Sequence, residues 1–383
     1  MTSTDALPTT AVRPATAPMT ASPLARMVQS TPTDFWNDSC ALAELDFAIA
    51  RGGTGATSNP VIVGEVMRKE RDHWEPRVRE LSDDHPTWSE VELTWALIEE
   101  MGVRGAAVLT PVFECEDGRK GRLSLQTNPA NHRDADRMVE QAVHFASLAP
   151  NIQVKFPTTA AGLAAIEEAT ARGVVINATV AFTVAQAIAV GEAVERGLRR
   201  FEASGGDSSR FSPVCSLMIG RLDDWMKVLV DRDAIALDPA AADSAGIAVF
   251  KRAYGIYRER GFRTRLLAAA YRHRLHWTEL VGGDVVLTMP HAWQVRFDRS
   301  GIDPTPRIDV PVEPRLIDDL LARVPDFVRA WEPDGLTVDE FAGYGPTVRT
   351  LRSFIASYHD LQASIRDLTL PNPDVRAAAA AAR

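Results

Sequence analysis

One lysine in this sequence stands where an amine could do covalent chemistry. In NIQVKFP the apolar Ile152, Val154 and Phe156 alternate with Gln153 and Lys155, which reads as a strand with one apolar face and one face carrying the amine. Turned inward, Lys155 is a buried ammonium, costly unless it is paired or gives up its proton. Burial beside other cations lowers an amine toward a pKa of ~7–8, the range of a nucleophilic or Schiff-base lysine. The plainer reading of the same spacing is a lysine snorkelling out of a short edge strand. Other polar residues close neighbouring apolar runs: Asp38 in FWNDSC, Asn59 in TSNP, Gln126 in SLQTNP, Asn177 and Thr179 in INAT, Ser216 and Arg221 in CSLMIGR, and Arg272 in AAAYRH. Each has an ordinary alternative. Asp38 or Asn177 suits a helix cap, Asn59 before Pro60 suits a turn, and Arg221 suits a surface pair with Asp223 or Asp224. Taken together they supply an imine-forming amine, a carboxylate for proton transfer, amides for hydroxyl groups and two guanidinium forks for a phosphate.

The elements that must hold these residues alternate. GRLSLQTNP places a strand at Leu123 to Gln126, and NIQVKFP places one at Ile152 to Phe156, closed by Pro157. A helix is expected from Thr159 to Arg172, stopped by Gly173. VVINATVAF is the next strand, followed by a helix from Val184 to about Leu198, and SPVCSLMI, RLLAAAY and DVVLTM repeat the strand signal. Alternating strands and helices imply a parallel sheet. RGGTGATSNP lacks the GxGxxG spacing of a dinucleotide fold. The expected architecture is therefore a single α/β domain, a (β/α)8 TIM barrel with additional helices, whose active site lies at the C-terminal ends of the strands.

Composition narrows the function. The chain has 383 residues, 45% hydrophobic and 24% charged, enough for a sizeable core. Its net charge of −9 argues against a nucleic-acid binder, and RKERDHWEPRVRE mixes its charges as a solvated helix does. Cys40, Cys115 and Cys215 are too scattered for a disulfide framework and fit a reducing cytosol, so a cytoplasmic protein is expected. His273 and His276 sit three apart, but Arg272 and Arg274 beside them repel a cation, and no metal site is expected. No run is long and apolar enough for a membrane helix. Residues 1–27, rich in Thr, Ala, Pro and Ser, read as a disordered leader, 28–370 as the barrel domain and 371–383 as a low-complexity tail. Only five of the 42 basic residues are lysines, at 69, 120, 155, 227 and 251, so chemistry that needs a neutral amine has few places to reside.

The segments FWNDS, GATSNP, LSLQTNP, NIQVKFPTTAAGLAAI, GVVINATVAFTVAQA, SLMIGRLDDW and AAAYR, in this order, resemble the transaldolase family from about residue 34 to 290, with weaker similarity around FAGYGPTVRTLRSF. The resemblance implies a class I barrel that moves a dihydroxyacetone unit between sugar phosphates in the pentose phosphate pathway. By motif, Lys155 would form the imine with the ketose carbonyl and Asp38 would accept the C4 hydroxyl proton. Asn59 and Asn177 would hold the enamine hydroxyls, Thr179 would orient the catalytic water, and Ser216, Arg221 and Arg272 would bind phosphate. No metal or organic cofactor is implied, because the protonated imine is itself the electron sink. Two positions depart from the transaldolase pattern. Gln126 stands where transaldolases have Glu, as in the fructose-6-phosphate aldolases of the same family, and Met218 stands where an aromatic residue is usual. The alternatives are thus an aldolase that releases free dihydroxyacetone and a catalytically impaired barrel that binds sugar phosphates.

Overall fold

A computed structural model describes residues 22–374. Eight parallel strands close into a barrel in sequence order: β1 (Asp34–Asn37), β2 (Gly55–Thr57), β3 (Arg122–Gln126), β4 (Ile152–Pro157), β5 (Ile176–Ala181), β6 (Val214–Leu217), β7 (Arg265–Ala268) and β8 (Val286–Met289), with β8 pairing back onto β1. The expected (β/α)8 fold is present. Three helices, Pro60–Lys69, Arg71–Asp84 and Glu90–Cys115, fill the β2–β3 connection, and the chain returns over the barrel in a last long helix, Gly345–Thr369.

The pleat decides which side chains face inward. Leu123 and Leu125 of β3 pack outward onto Gly105 and Gly102 of helix Glu90–Cys115, so Ser124 and Gln126 point into the barrel. Register carries that direction around the sheet: Gln126 lies opposite Lys155, Lys155 opposite Asn177, and Pro157 opposite Thr179. The edge-strand reading of Lys155 does not hold, because β4 is paired on both sides and Lys155 is 4% exposed.

The lysine strand runs directly into its helix. Thr159 caps helix Ala160–Ala171 by accepting the Gly162 N–H, and a Cβ at Gly162 would lie 1.8 Å from the Pro157 carbonyl oxygen. Only glycine permits this approach, which ties the end of β4 to the helix that follows it.

Two expectations change. Residues 23–27, assigned to the leader, open helix Pro23–Ser30, where Ser22 caps the first turn and Leu24, Ala25 and Met27 are fully buried. Their apolar side chains reach the core, which a composition average over the preceding Thr, Ala and Pro obscures; residues 1–21 and 375–383 lie outside the described residues. RKERDHWEPRVRE is not one solvated helix: it spans a break at Glu70, and Trp74 and Val78 are buried. Among the described residues no helix is long and apolar enough to cross a membrane.

Candidate active site

The inner face of the barrel is a connected polar layer. Ser216 Oγ donates to Asn177 Oδ1 at 2.7 Å, Asn177 Nδ2 donates to Ser124 Oγ at 3.1 Å, and Ser124 Oγ donates to Gln153 Oε1 at 3.0 Å. This chain crosses β3 to β6 beneath Lys155 and satisfies every member, as a buried network must. Ser216, expected beside the arginines, hands its hydroxyl proton to Asn177 and so is joined to this layer.

Above this layer Lys155 is buried, and among the described residues its Nζ makes no ion pair or side-chain hydrogen bond. Burial pushes its pKa below the ordinary 10.5 and Arg221 lowers it further, while Asp38 pulls it back up. Asp38 follows β1 and is partly buried. Thr57 Oγ1 donates to its Oδ1 at 2.6 Å and lies 2.9 Å from Thr288 Oγ1. Burial raises Asp38 above 3.8 against the opposing effects of Lys155, Thr57 and Arg221. The amine and the carboxyl are thus moved toward one another, the condition for passing protons near neutral pH.

Gln126 stands next to Lys155 on the neighbouring strand, and its buried Oε1 has no partner among the described residues. As an amide oxygen it can accept a hydrogen bond but cannot give up a proton. Thr179 Oγ1 reaches the Met218 sulfur at 3.9 Å, so the two residues share one corner of the site. Asn59 does not form a plain turn. It caps helix Pro60–Lys69, accepting the Ile62 N–H at 3.1 Å on Oδ1, which leaves Nδ2 to donate to a ligand.

The cationic corner lies at the start of helix Ile219–Arg232. Met218 is its N-cap and supplies no side-chain cap, so the first N–H groups and the helix dipole favour an anion there. Arg221 donates to Thr350 Oγ1 at 3.4 Å, and its guanidinium lies 5.3 Å from the Phe354 ring centre. Burial lowers its pKa, and the charges of Arg272 and Arg349 act in the same direction. The surface pair expected for Arg221 goes to Arg272 instead, which forks onto Asp224 at 2.7 to 3.1 Å.

Several residues of this region escape sequence reading. Arg349 and Thr350 come from the last helix, far away in sequence, and FAGYGPTVRTLRSF is the only signal for them. Gln186 clamps the strand ends, accepting the Phe182 N–H and donating to the carbonyls of Thr158 and Val180. Val180, left-handed at φ 57°, forms the bulge next to Thr179, a strained backbone for a β-branched residue. Tyr271 is buried beside Arg272, and its hydroxyl has no partner among the described residues.

A buried amine with no ion pair among the described residues, a carboxyl of raised pKa and a corner carrying Arg221 and Arg272, all around the mouth of an eight-stranded parallel barrel, suit lysine–carbonyl chemistry on anionic substrates. The comparisons with known proteins agree. The family described as Transaldolase/Fructose-6-phosphate aldolase matches residues 35–323. A transaldolase of Thermobifida fusca (strain YX) is 32% identical over 274 residues, covering 66% of this chain and 73% of that one. A transaldolase of Thiobacillus denitrificans is 28% identical over 337 residues, covering 82% and 90%. One of Mycobacterium ulcerans (strain Agy99) is 30% identical over 260 residues, covering 62% and 69%. The chain belongs to the transaldolase/fructose-6-phosphate aldolase family.

Proposed function

We propose that this chain is a transaldolase, transferring a dihydroxyacetone unit from a ketose phosphate such as sedoheptulose 7-phosphate or fructose 6-phosphate to an aldose phosphate in the pentose phosphate pathway. The observation that carries the reading is Lys155, a buried amine without an ion pair among the described residues, whose pKa burial lowers and the nearby Asp38 only partly restores. In this mechanism neutral Lys155 attacks the ketose C2 carbonyl, and loss of water gives the imine. Asp38 accepts the C4 hydroxyl proton as the C3–C4 bond breaks and the first aldose phosphate leaves. The electron pair resides in the enamine, which attacks the incoming aldehyde. Hydrolysis of the new imine returns Lys155. Asn59 and Asn177 hold the donor hydroxyls together with Ser216, Gln126 and Thr179 position water, and Arg221 and Arg272 hold the phosphate. The protein acts on these small molecules in the cytoplasm and takes no nucleic acid as partner.

The aldolase reading rests on Gln126, and one assay separates the two. With fructose 6-phosphate alone, a transaldolase releases little free dihydroxyacetone, and it turns over when erythrose 4-phosphate is added. Equal turnover without the acceptor would assign the aldolase. A barrel that only binds sugar phosphates would turn over in neither condition. Gln126→Glu supplies a carboxyl that shuttles protons during imine formation, and is expected to raise transfer kcat by about three- to tenfold. A fall of about tenfold would show the strand to be tuned to the amide.

A further inference from the structure

A second polar cluster lies behind the cationic corner. Asp223, on the helix that carries Arg221, and His276, beyond β7, are both fully buried. His276 Nδ1 accepts the backbone N–H of Arg272 at 3.1 Å, so its single ring proton is on Nε2, which donates to Asp223 Oδ2 at 2.7 Å. Asp223 Oδ1 accepts the Gly246 N–H at 2.8 Å. Arg221 and Arg272 are thereby connected through one carboxylate and one imidazole, each atom committed. The same two segments touch along the backbone: a Cβ on Gly220 would lie 1.9 Å from the Ala270 carbonyl oxygen, and Ala270 itself is left-handed at φ 70°. A strained turn with an unusual φ needs such external restraint to persist.

His273 completes a group of three ligand-capable side chains whose donor atoms lie within 4.8 Å of one another. The hydrogen bonds argue against a cation there. A metal on His276 Nε2 would need that nitrogen's lone pair while Nδ1 also presents a lone pair to Arg272, which leaves the ring an imidazolate.

We propose that Asp223 and His276 are positioning residues for the anion site: acting through the imidazole, the carboxylate holds the Arg272 backbone and fixes the separation of the two phosphate-binding guanidiniums. The inference rests on the reading of Arg221 and Arg272 as phosphate ligands. Burial keeps His276 below the ordinary imidazole value; burial would raise Asp223, but the hydrogen bond from His276 and the nearby His273 ring, 3.5 Å away, hold it low. The neutral ring needed to accept the Arg272 N–H is therefore the form present at neutral pH. Asp223 also caps helix Ala245–Arg260 through Gly246, so a purely structural role is the competing explanation.

The test replaces the pair by apolar residues, D223L/H276F, which removes both acceptors that hold the Arg272 and Gly246 N–H groups. The double variant is expected to raise KM for fructose 6-phosphate and Ki for inorganic phosphate by about tenfold, with kcat changed less than about threefold. KM for unphosphorylated fructose should not move. Unchanged phosphate inhibition, or an equal loss on fructose, would overturn the proposal. Arg221→Ala and Arg272→Ala, measured in parallel, separate the two levels. If neither weakens phosphate inhibition, the anion reading itself fails and the inference falls with it. If both do and D223L/H276F does not, only the inference falls. Should the double variant not fold, His276→Phe alone is measured in the same way: a rise in Ki for inorganic phosphate with KM for fructose unmoved supports the proposal, and an unchanged Ki overturns it.

Discussion

Lys155→Met is expected to lower kcat/KM by at least about a thousandfold while leaving the fold intact or slightly more stable. Without the amine no imine forms, and the electron sink for C–C cleavage is gone. The stability side follows from burial: Lys155 is 4% exposed and has no ion pair among the described residues, so methionine of similar length relieves a buried polar group instead of breaking a contact. Steady-state kinetics with a thermal melt on one preparation checks both. Activity within about tenfold of wild type would remove Lys155 from the chemistry. Wild-type pH dependence gives a companion measurement. The reacting form is the neutral amine, so kcat/KM rises as pH increases through the Lys155 pKa. Burial sets that limb below 10.5, and a limb centred at 10.5 would contradict the desolvated site.

Asp38→Asn is expected to lower kcat by about a hundred- to ten-thousandfold, the usual worth of a positioned general base. Asparagine retains an oxygen for the Thr57 hydroxyl, so the local structure should persist. Imine formation does not require Asp38 to deprotonate C4, whereas bond cleavage does. The variant should therefore accumulate a covalent donor adduct that borohydride traps in higher yield than in wild type. Loss of the adduct together with activity would mean that Asp38 serves imine formation instead. Removing the carboxylate also removes the influence that raises Lys155, so the amine pKa should fall further.

The fold was legible where period and punctuation agree. β3 to β5 carry alternating residues between Gly and Pro signals, and the direction of Lys155 follows from that alternation alone. β1 and β2 have four and three residues, too short for any period, and were visible only through the polar residues that close them. Helices Arg71–Asp84 and Glu90–Cys115 each contain a proline, at Pro76 and Pro111, where local rules would end them. Of the candidate site residues, Asp38 and Gln126 lie at strand ends as the sequence implied, whereas Lys155, Asn177 and Thr179 lie within β4 and β5 and Arg221 lies in the first turn of a helix. What the sequence hid is pairing at a distance: Ser216 with Asn177, Arg272 with Asp224, and His276 with Asp223, 53 residues away. The arginines flanking His273 and His276 speak only against a cation; the carboxylate that meets His276 comes from the neighbouring helix and is invisible in the local sequence.

Borohydride reduction during turnover is the most direct test of the central claim, that Lys155 carries the donor. The enzyme is incubated with fructose 6-phosphate, reduced, digested and mapped by mass spectrometry. The predicted result is one reduced dihydroxyacetone adduct on the peptide containing Lys155, with loss of activity in proportion to labelling. An adduct on Lys69, Lys120, Lys227 or Lys251 instead, or no adduct on an enzyme that still turns over, would contradict it.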